Sequence, residues 1–198
     1  MAALGLRARL PRGAVTELED AASDPDPRVR AAAVAALVRA AGGRRAAAAW
    51  RHGCADPAPE VRRRAAELTP SLADPPPLRP LVALLADPDV TVVEATAWAL
   101  GELRDPTRDA DAVAPLSRLA TDHDDPIARE AAVAALGALG DPAGLPAILA
   151  ACTDKPAVRR RAVLALAPFE GPEVDAALDH ALKDRDWQTR QAAEDLRA

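Results

Sequence analysis

The chain has 198 residues, among them 51 alanines, 23 arginines, 2 lysines, three tryptophans, one phenylalanine and no tyrosine. Alanine, leucine and arginine favour helices, and the scarcity of aromatic and β-branched residues other than valine excludes an all-β fold. No run approaches the ~20 apolar residues of a membrane-spanning helix, Cys54 and Cys152 are too few to frame a disulfide-stapled domain, and the net charge of −5 opposes an affinity drawn from phosphate neutralisation.

From the N-terminus, Met1–Pro11 is broken by Arg7 and Arg9 and has no apolar stretch followed by a cleavage site, so a secretory leader is not expected. Repeats dominate the rest of the chain. Asp24-Pro25-Asp26-Pro27-Arg28-Val29-Arg30 leads into an alanine-rich segment ending near Leu37, and copies run from Asp56, Asp87, Asp125, Asp154 and Asp184. With Val29, Val61, Val92, Ala128, Val158 and Thr189 equivalent, the spacings are 32, 31, 36, 30 and 31. Six repeats are expected in one domain, over 13–41, 44–72, 76–104, 109–140, 143–169 and 171–198.

Each repeat reads as two helices. The first carries an early proline and a leucine stripe: Pro80 with Leu84 and Leu85, Pro115 with Leu116 and Leu119, Pro146 with Ile148 and Leu149. Proline suits a first helical turn, where its missing donor has no partner to lose. An Asp-Pro turn stops this helix, and aspartate is placed to cap the next. In the second helix Val29, Ala33, Ala36 and Leu37 form one buried stripe, with Val34, Val133 and Val163 beside it and set to meet the neighbouring repeat. Gly42-Gly43 reads as an inter-repeat turn, and Pro75–Pro77 as a rigid connection.

The proline-bearing first helix, the turn aspartate and the Val-Arg pair at Val29-Arg30, Val61-Arg62 and Val158-Arg159 resemble HEAT repeats, most nearly the short bacterial variety found in phycobilin lyases. Ala128-Arg129 and Thr189-Arg190 keep the arginine, whereas repeat three has Val93 in its place. The resemblance implies an all-α, right-handed solenoid, second helices lining its concave surface, and a ladder of turn aspartate and arginine running from repeat to repeat with one rung in doubt at Val93. It says little about function, since such arrays serve many.

Chemical signatures are sparse. His52, His123 and His180 stand 71 and 57 residues apart and none precedes a glutamate, so the paired His-Glu ligands of the HEAT-like deoxyhypusine hydroxylase are missing and neither metal nor other cofactor is expected. Cys54 and Cys152 fall near the ends of first helices as plain thiols, without a histidine that the sequence can place beside them. No glycine-rich phosphate loop is present. Enzymatic activity is therefore not expected. HEAT-like alkylpurine DNA glycosylases give nucleic acid a hearing, as do the runs Arg62–Arg64 and Arg159–Arg161. Residues 1–73 carry 12 basic and 8 acidic groups, a net of +4, and residues 74–198 carry 13 and 22, a net of −9. The first arginine of each run has a structural part to play in the family, and the others read as a solvated face.

Opposite the stripe lie Arg28, Ala31, Ala35 and, more obliquely, Arg39 in repeat one, and Glu60, Arg63 and Glu67 in repeat two. Glu94, Trp98 and Glu102 occupy these offsets in repeat three, Glu130 and Ala134 in repeat four, Arg160 and Leu164 in repeat five. Trp98 is a large aromatic among small and charged residues, as at interface anchors. Glu94, Glu102 and Glu130 favour a basic partner, and Arg63 and Arg64 an acidic one. Trp50 reads as packing, and Trp187 as a cover for the exposed end of the core in a final repeat turned polar by Thr189, Glu194 and Asp195. The expectation is a cytoplasmic, monomeric scaffold that holds a partner protein or peptide on its concave face through Trp98, Glu94, Glu102, Glu130, Glu67, Arg63, Arg160 and Leu164, with no membrane contact. The rivals are a tetrapyrrole-handling protein like the phycobilin lyases and a nucleic-acid binder.

Overall fold

The computed structural model describes residues 13–73, 77–103 and 106–197, without the side chains of 106–110. Met1–Pro11 and most of the Pro75–Pro77 connection lie outside these residues. Helices account for every regular element described: α1 (Ala14–Ala21), α2 (Pro27–Ala40), α3 (Gly43–Cys54), α4 (Pro59–Leu68), α5 (Leu78–Ala83), α6 (Val90–Glu102), α7 (Pro106–Asp122), α8 (Pro126–Leu139), α9 (Leu145–Ala151), α10 (Pro156–Ala165), α11 (Pro172–Ala181) and α12 (Trp187–Arg197). They alternate as first and second helices of successive pairs, and packing divides them into two units, 1–84 with α1–α5 and 85–198 with α6–α12.

In the second unit α6, α8, α10 and α12 lie side by side in that order, and α7, α9 and α11 form the other layer. In the first unit α2 packs along α4, with α1 and α3 behind. The stripe of the second helices supplies the core. Val61, Val92, Ala128 and Val158 are wholly buried, as are Ala65, Thr96, Ala132 and Ala162 one turn later. Leu37, Leu100, Leu136 and Leu166 close the stripe, and Val34, Val133 and Val163 are buried beside it. Repeat two has Thr69 where these four have leucine, and there the buried Trp50 indole Nε1–H donates to Thr69 Oγ1 at 2.9 Å. Trp50 is thus a packing residue with its one polar atom satisfied.

Two aspartate positions divide the work of each turn. The first, Asp24, Asp56, Asp87 or Asp184, accepts the backbone N–H two residues on at 2.8 or 2.9 Å. The second, Asp26, Asp89 or Asp125, caps the second helix through the N–H of Arg28, Thr91 or Ile127. Gly140 ends α8 in the left-handed conformation that glycine adopts without strain, with φ of 66°.

Arginine then ties turns together. Arg30 Nη1 donates to the carbonyls of Asp24 and Pro25 in its own turn, and its Nε and Nη2 grip the Asp56 carboxylate at 2.8 and 2.7 Å. Arg129 repeats this with Asp154 at 2.6 and 2.8 Å, and Arg159 with Asp184 at 2.8 and 2.7 Å. Where Val93 replaces the arginine, the turn it would reach opens on His123, whose Nδ1 accepts the Asp125 N–H at 3.0 Å in the aspartate's stead. Both members of that rung are changed together, so neither a guanidinium nor a carboxylate is left buried there without its mate.

Four expectations need correction. Val29 is 38% exposed and not in the core: among the described residues only α1 precedes it, and α1 buries none of its side chains. Ala35, expected on the open face, is buried, because that position lies at the seam where second helices meet and a methyl group is too short to reach out of it. Pro115 is interior to α7, not in its first turn; the helix begins at Pro106 and forgoes one hydrogen bond where proline lacks its donor. Trp187 does not cover the core end. It is 63% exposed, because it opens α12 and the buried positions there belong to Thr189, Ala192 and Ala193.

Close packing of α8 on α10 depends on Gly137, where an added Cβ would stand 2.6 Å from Ala165 Cβ and 2.7 Å from its Cα. Gly137→Ala is expected to lose about 2 kcal/mol in thermal unfolding through overpacking, despite the roughly 1 kcal/mol that alanine adds within a helix. The ladder yields a second expectation. The bonds from Arg129 and Arg159 hold the Asp154 and Asp184 carboxyls below the ordinary carboxylate range. Their contribution is complete above an unfolded-state pKa of about 3.9 and is lost as pH falls through the lower folded values. A double-mutant cycle on Arg159→Met and Asp184→Asn should show a coupling of about 2 kcal/mol at neutral pH, vanishing in acid.

Candidate partner-binding face

Large apolar side chains left exposed in the described residues are Val29, Trp98, Ile127, Leu164 and Trp187. They stand on α2, α6, α8, α10 and α12, so every one of them is on a second helix. The first helices keep their large apolar groups inward.

In the second unit, α6 and α8 border a cavity of about 350 Å³ that is open to solvent. Trp98, 49% exposed, and Ile127, also 49% exposed, supply its apolar walls. The floor is alanine and glycine: Gly101 approaches Ala135 so closely that an added Cβ would lie 3.0 Å from the Ala135 Cα, and these small residues leave the hollow beneath the tryptophan. Glu94 and Glu102 stand one helical turn before and after Trp98 on its own face, and Glu130 and Arg161 border the cavity from α8 and α10. Arg161 Nε lies 3.5 Å from Glu130 Oε1. Glu94 and Glu102 have no ion-pair partner among the described residues. The cavity therefore combines aromatic surface with two uncommitted carboxylates.

Four of the sequence-predicted site residues, Glu94, Trp98, Glu102 and Glu130, meet at this cavity. Leu164 is exposed on α10 without lining it, and Arg160 beside it bonds Gln188 of α12. Arg63 and Glu67 belong to the first unit, where Arg63 pairs with Glu67 at 3.6 Å and Arg64 with the same carboxylate at 2.9 Å. Sequence reasoning missed two contributors. Ile127 occupies the offset held by Arg28, Glu60 and Gln188 in other repeats, and an apolar residue at a polar offset was its signal. Arg161 had none, because its place at the cavity depends on how α10 lies beside α8.

Each arginine of the two runs has a partner within the chain. Arg62 Nη1 bonds the Asp56 and Pro57 carbonyls, Arg63 and Arg64 share Glu67, Arg159 forms a rung, and Arg160 and Arg161 hold Gln188 and Glu130. The thiols are equally unpromising for chemistry, burial pushing Cys54 up to about 12 and Cys152 to about 11. Among the described residues no three His, Cys, Asp or Glu side chains gather as metal ligands, and no helix is long and apolar enough to cross a membrane.

Likeness to known proteins runs along the repeats. The HEAT-repeat family matches over residues 1–69, 47–132, 78–156 and 114–197. The chain belongs to the HEAT-repeat family. Comparison with curated proteins finds no match. Among solved structures, an engineered protein is 21% identical with a TM-score of 0.69, covering 92% of this chain and 96% of its own. A designed armadillo repeat protein is 17% identical with a TM-score of 0.63, covering 92% and 98%. The complex of CpcE and CpcF of phycocyanin lyase from Nostoc sp. PCC7120 is 17% identical with a TM-score of 0.55, covering 95% and 100%. At such identities the likeness is one of fold, the helical repeat solenoid, a fold typical of protein-interaction scaffolds.

The two environments of tryptophan lead to opposite expectations. Trp98→Ala should change unfolding free energy by no more than about 0.5 kcal/mol, as at a surface position. Trp50→Ala should cost about 4 kcal/mol, since it empties a buried site and removes the indole donor to Thr69 Oγ1. Chemical denaturation of the two variants beside the parent checks both.

Proposed function

We propose that this HEAT-repeat protein is a non-enzymatic scaffold that holds a partner protein or peptide on the face formed by its second helices, with Trp98 as the principal anchor. The observation that carries this reading is the confinement of every exposed large apolar side chain among the described residues to second helices. Exposed apolar groups rimmed by charge are the usual makings of a protein interface, and a half-exposed tryptophan over a hollow is the residue type that most often dominates one. Glu94, Glu102 and Glu130 around it, Leu164 farther along the same layer and Arg160 beside Leu164 complete the proposed contact surface. Arg63 and Glu67 are proposed contacts on α4 of the first unit.

Two alternatives are less well supported. A linear tetrapyrrole carries propionates, and the carboxylates of Glu94 and Glu102 would repel them. Nucleic acid is opposed by the net charge of −5.

Photo-crosslinking in the source cell tests the proposal. A benzophenone amino acid placed at position 98, 127 or 164 should yield a protein adduct of the same mass from each site. The same group at Ala150 or Ala176, exposed positions on the first helices α9 and α11, should not. Adducts from the first-helix positions alone, or adducts removed by nuclease, would refute the assignment.

A further inference from the structure

The cavity between α6 and α8 is more selective than an apolar anchor site, and its charges say what it selects. Four charged side chains line it: Glu94, Glu102, Glu130 and Arg161. Glu130 is paired with Arg161 at 3.5 Å, so the charges on the α8 side of the cavity balance. The α6 side is different. Glu94 and Glu102 flank Trp98 on one helix face, exposed and without ion-pair partners among the described residues. An occupant of the space over the Trp98 ring is thus placed between two free carboxylates and against an indole face, which attracts cations through its quadrupole.

Resting on the proposed partner-binding role, we infer that this cavity is a receptor for an arginine side chain of a basic partner segment, its guanidinium stacked on Trp98 and shared between Glu94 and Glu102. Arginine suits the site better than lysine for two reasons. A planar guanidinium stacks on an aromatic ring while its edges donate to carboxylates, and it is more weakly hydrated than an ammonium and so enters a partly apolar hollow at less cost. The aliphatic stem would lie against Ile127 and the alanine floor, as long cationic side chains do along apolar surface. Arg161 acts as the boundary of the site: it repels a second cation from the α8 side and confines the guest to Trp98.

The test is a selection from a random linear-peptide library displayed on phage, run on the parent protein with Trp98→Ala as the counter-target. Peptides that depend on Trp98 should be enriched in arginine at one fixed position. Replacing that arginine by citrulline, which keeps the shape and removes the charge, should weaken a selected peptide by about 10-fold or more on the parent. On the Glu94→Gln/Glu102→Gln double variant the same replacement should matter little, and both substitutions are at exposed positions where folding is not at stake. Trp98-dependent peptides without a basic anchor would overturn this inference and leave the protein-binding role standing. The same holds for an arginine preference undiminished on the double variant. Failure to obtain any Trp98-dependent peptide would overturn both.

Discussion

A single arginine in each of repeats one, four and five performs two tasks that are usually separate. One terminal nitrogen closes the turn that introduces its own helix, and the opposite edge of the guanidinium reaches the turn of the following repeat. Intra-repeat geometry and inter-repeat register are therefore fixed by the same planar group. Because the group is rigid and always charged, a helix pair cannot rotate against its neighbour without losing a bidentate contact in a half-buried setting. The alanine-rich stripe supplies close approach and the leucines supply apolar burial, but neither is directional. The choice among the many ways such smooth surfaces can slide falls to the ladder.

Much of this was legible in the sequence because the determinants are local. The Asp-to-Arg distance, the valine opening the stripe and the alanine one turn later need only helical periodicity and turn chemistry to interpret. Where the reading failed, the answer depended on a neighbour. Val29 and Val61 share the Pro-x-Val-Arg pattern, yet one is exposed and the other buried, since what differs is the element packed beside them. Ala35 and Trp98 share an offset, and size alone sends one into the seam and the other out of it. Pro115 misled because proline at a helix start and proline within a helix look alike until the upstream residues are seen to be helical.

The candidate site divides the same way. Glu94, Trp98 and Glu102 are one turn apart on one helix, so their common face follows from 3.6-residue periodicity. Ile127 and Arg161 come from two other helices, and their distance from Trp98 is set by how closely α6, α8 and α10 approach, which depends on glycine and alanine contacts such as Gly101 with Ala135. The pairing of Arg160 with Gln188 and of Arg161 with Glu130 was equally beyond a linear reading, because each partner lies on another helix, whereas Arg63 and Arg64 stand one turn from Glu67 on their own helix.

The change at Val93 and His123 has a mechanical consequence. The junctions from Arg129 to Asp154 and from Arg159 to Asp184 carry a two-pronged electrostatic clamp, whereas the junction between α6 and α8 substitutes a valine and an imidazole for the two halves of that clamp. Close packing of Gly101 against Ala135 holds this joint, without the directional ionic restraint that the other two carry. The hollow beneath Trp98 lies at that joint. A guest seated there would touch both helices, its charged end on Trp98 and the glutamates of α6 and its apolar stem against Ile127 of α8.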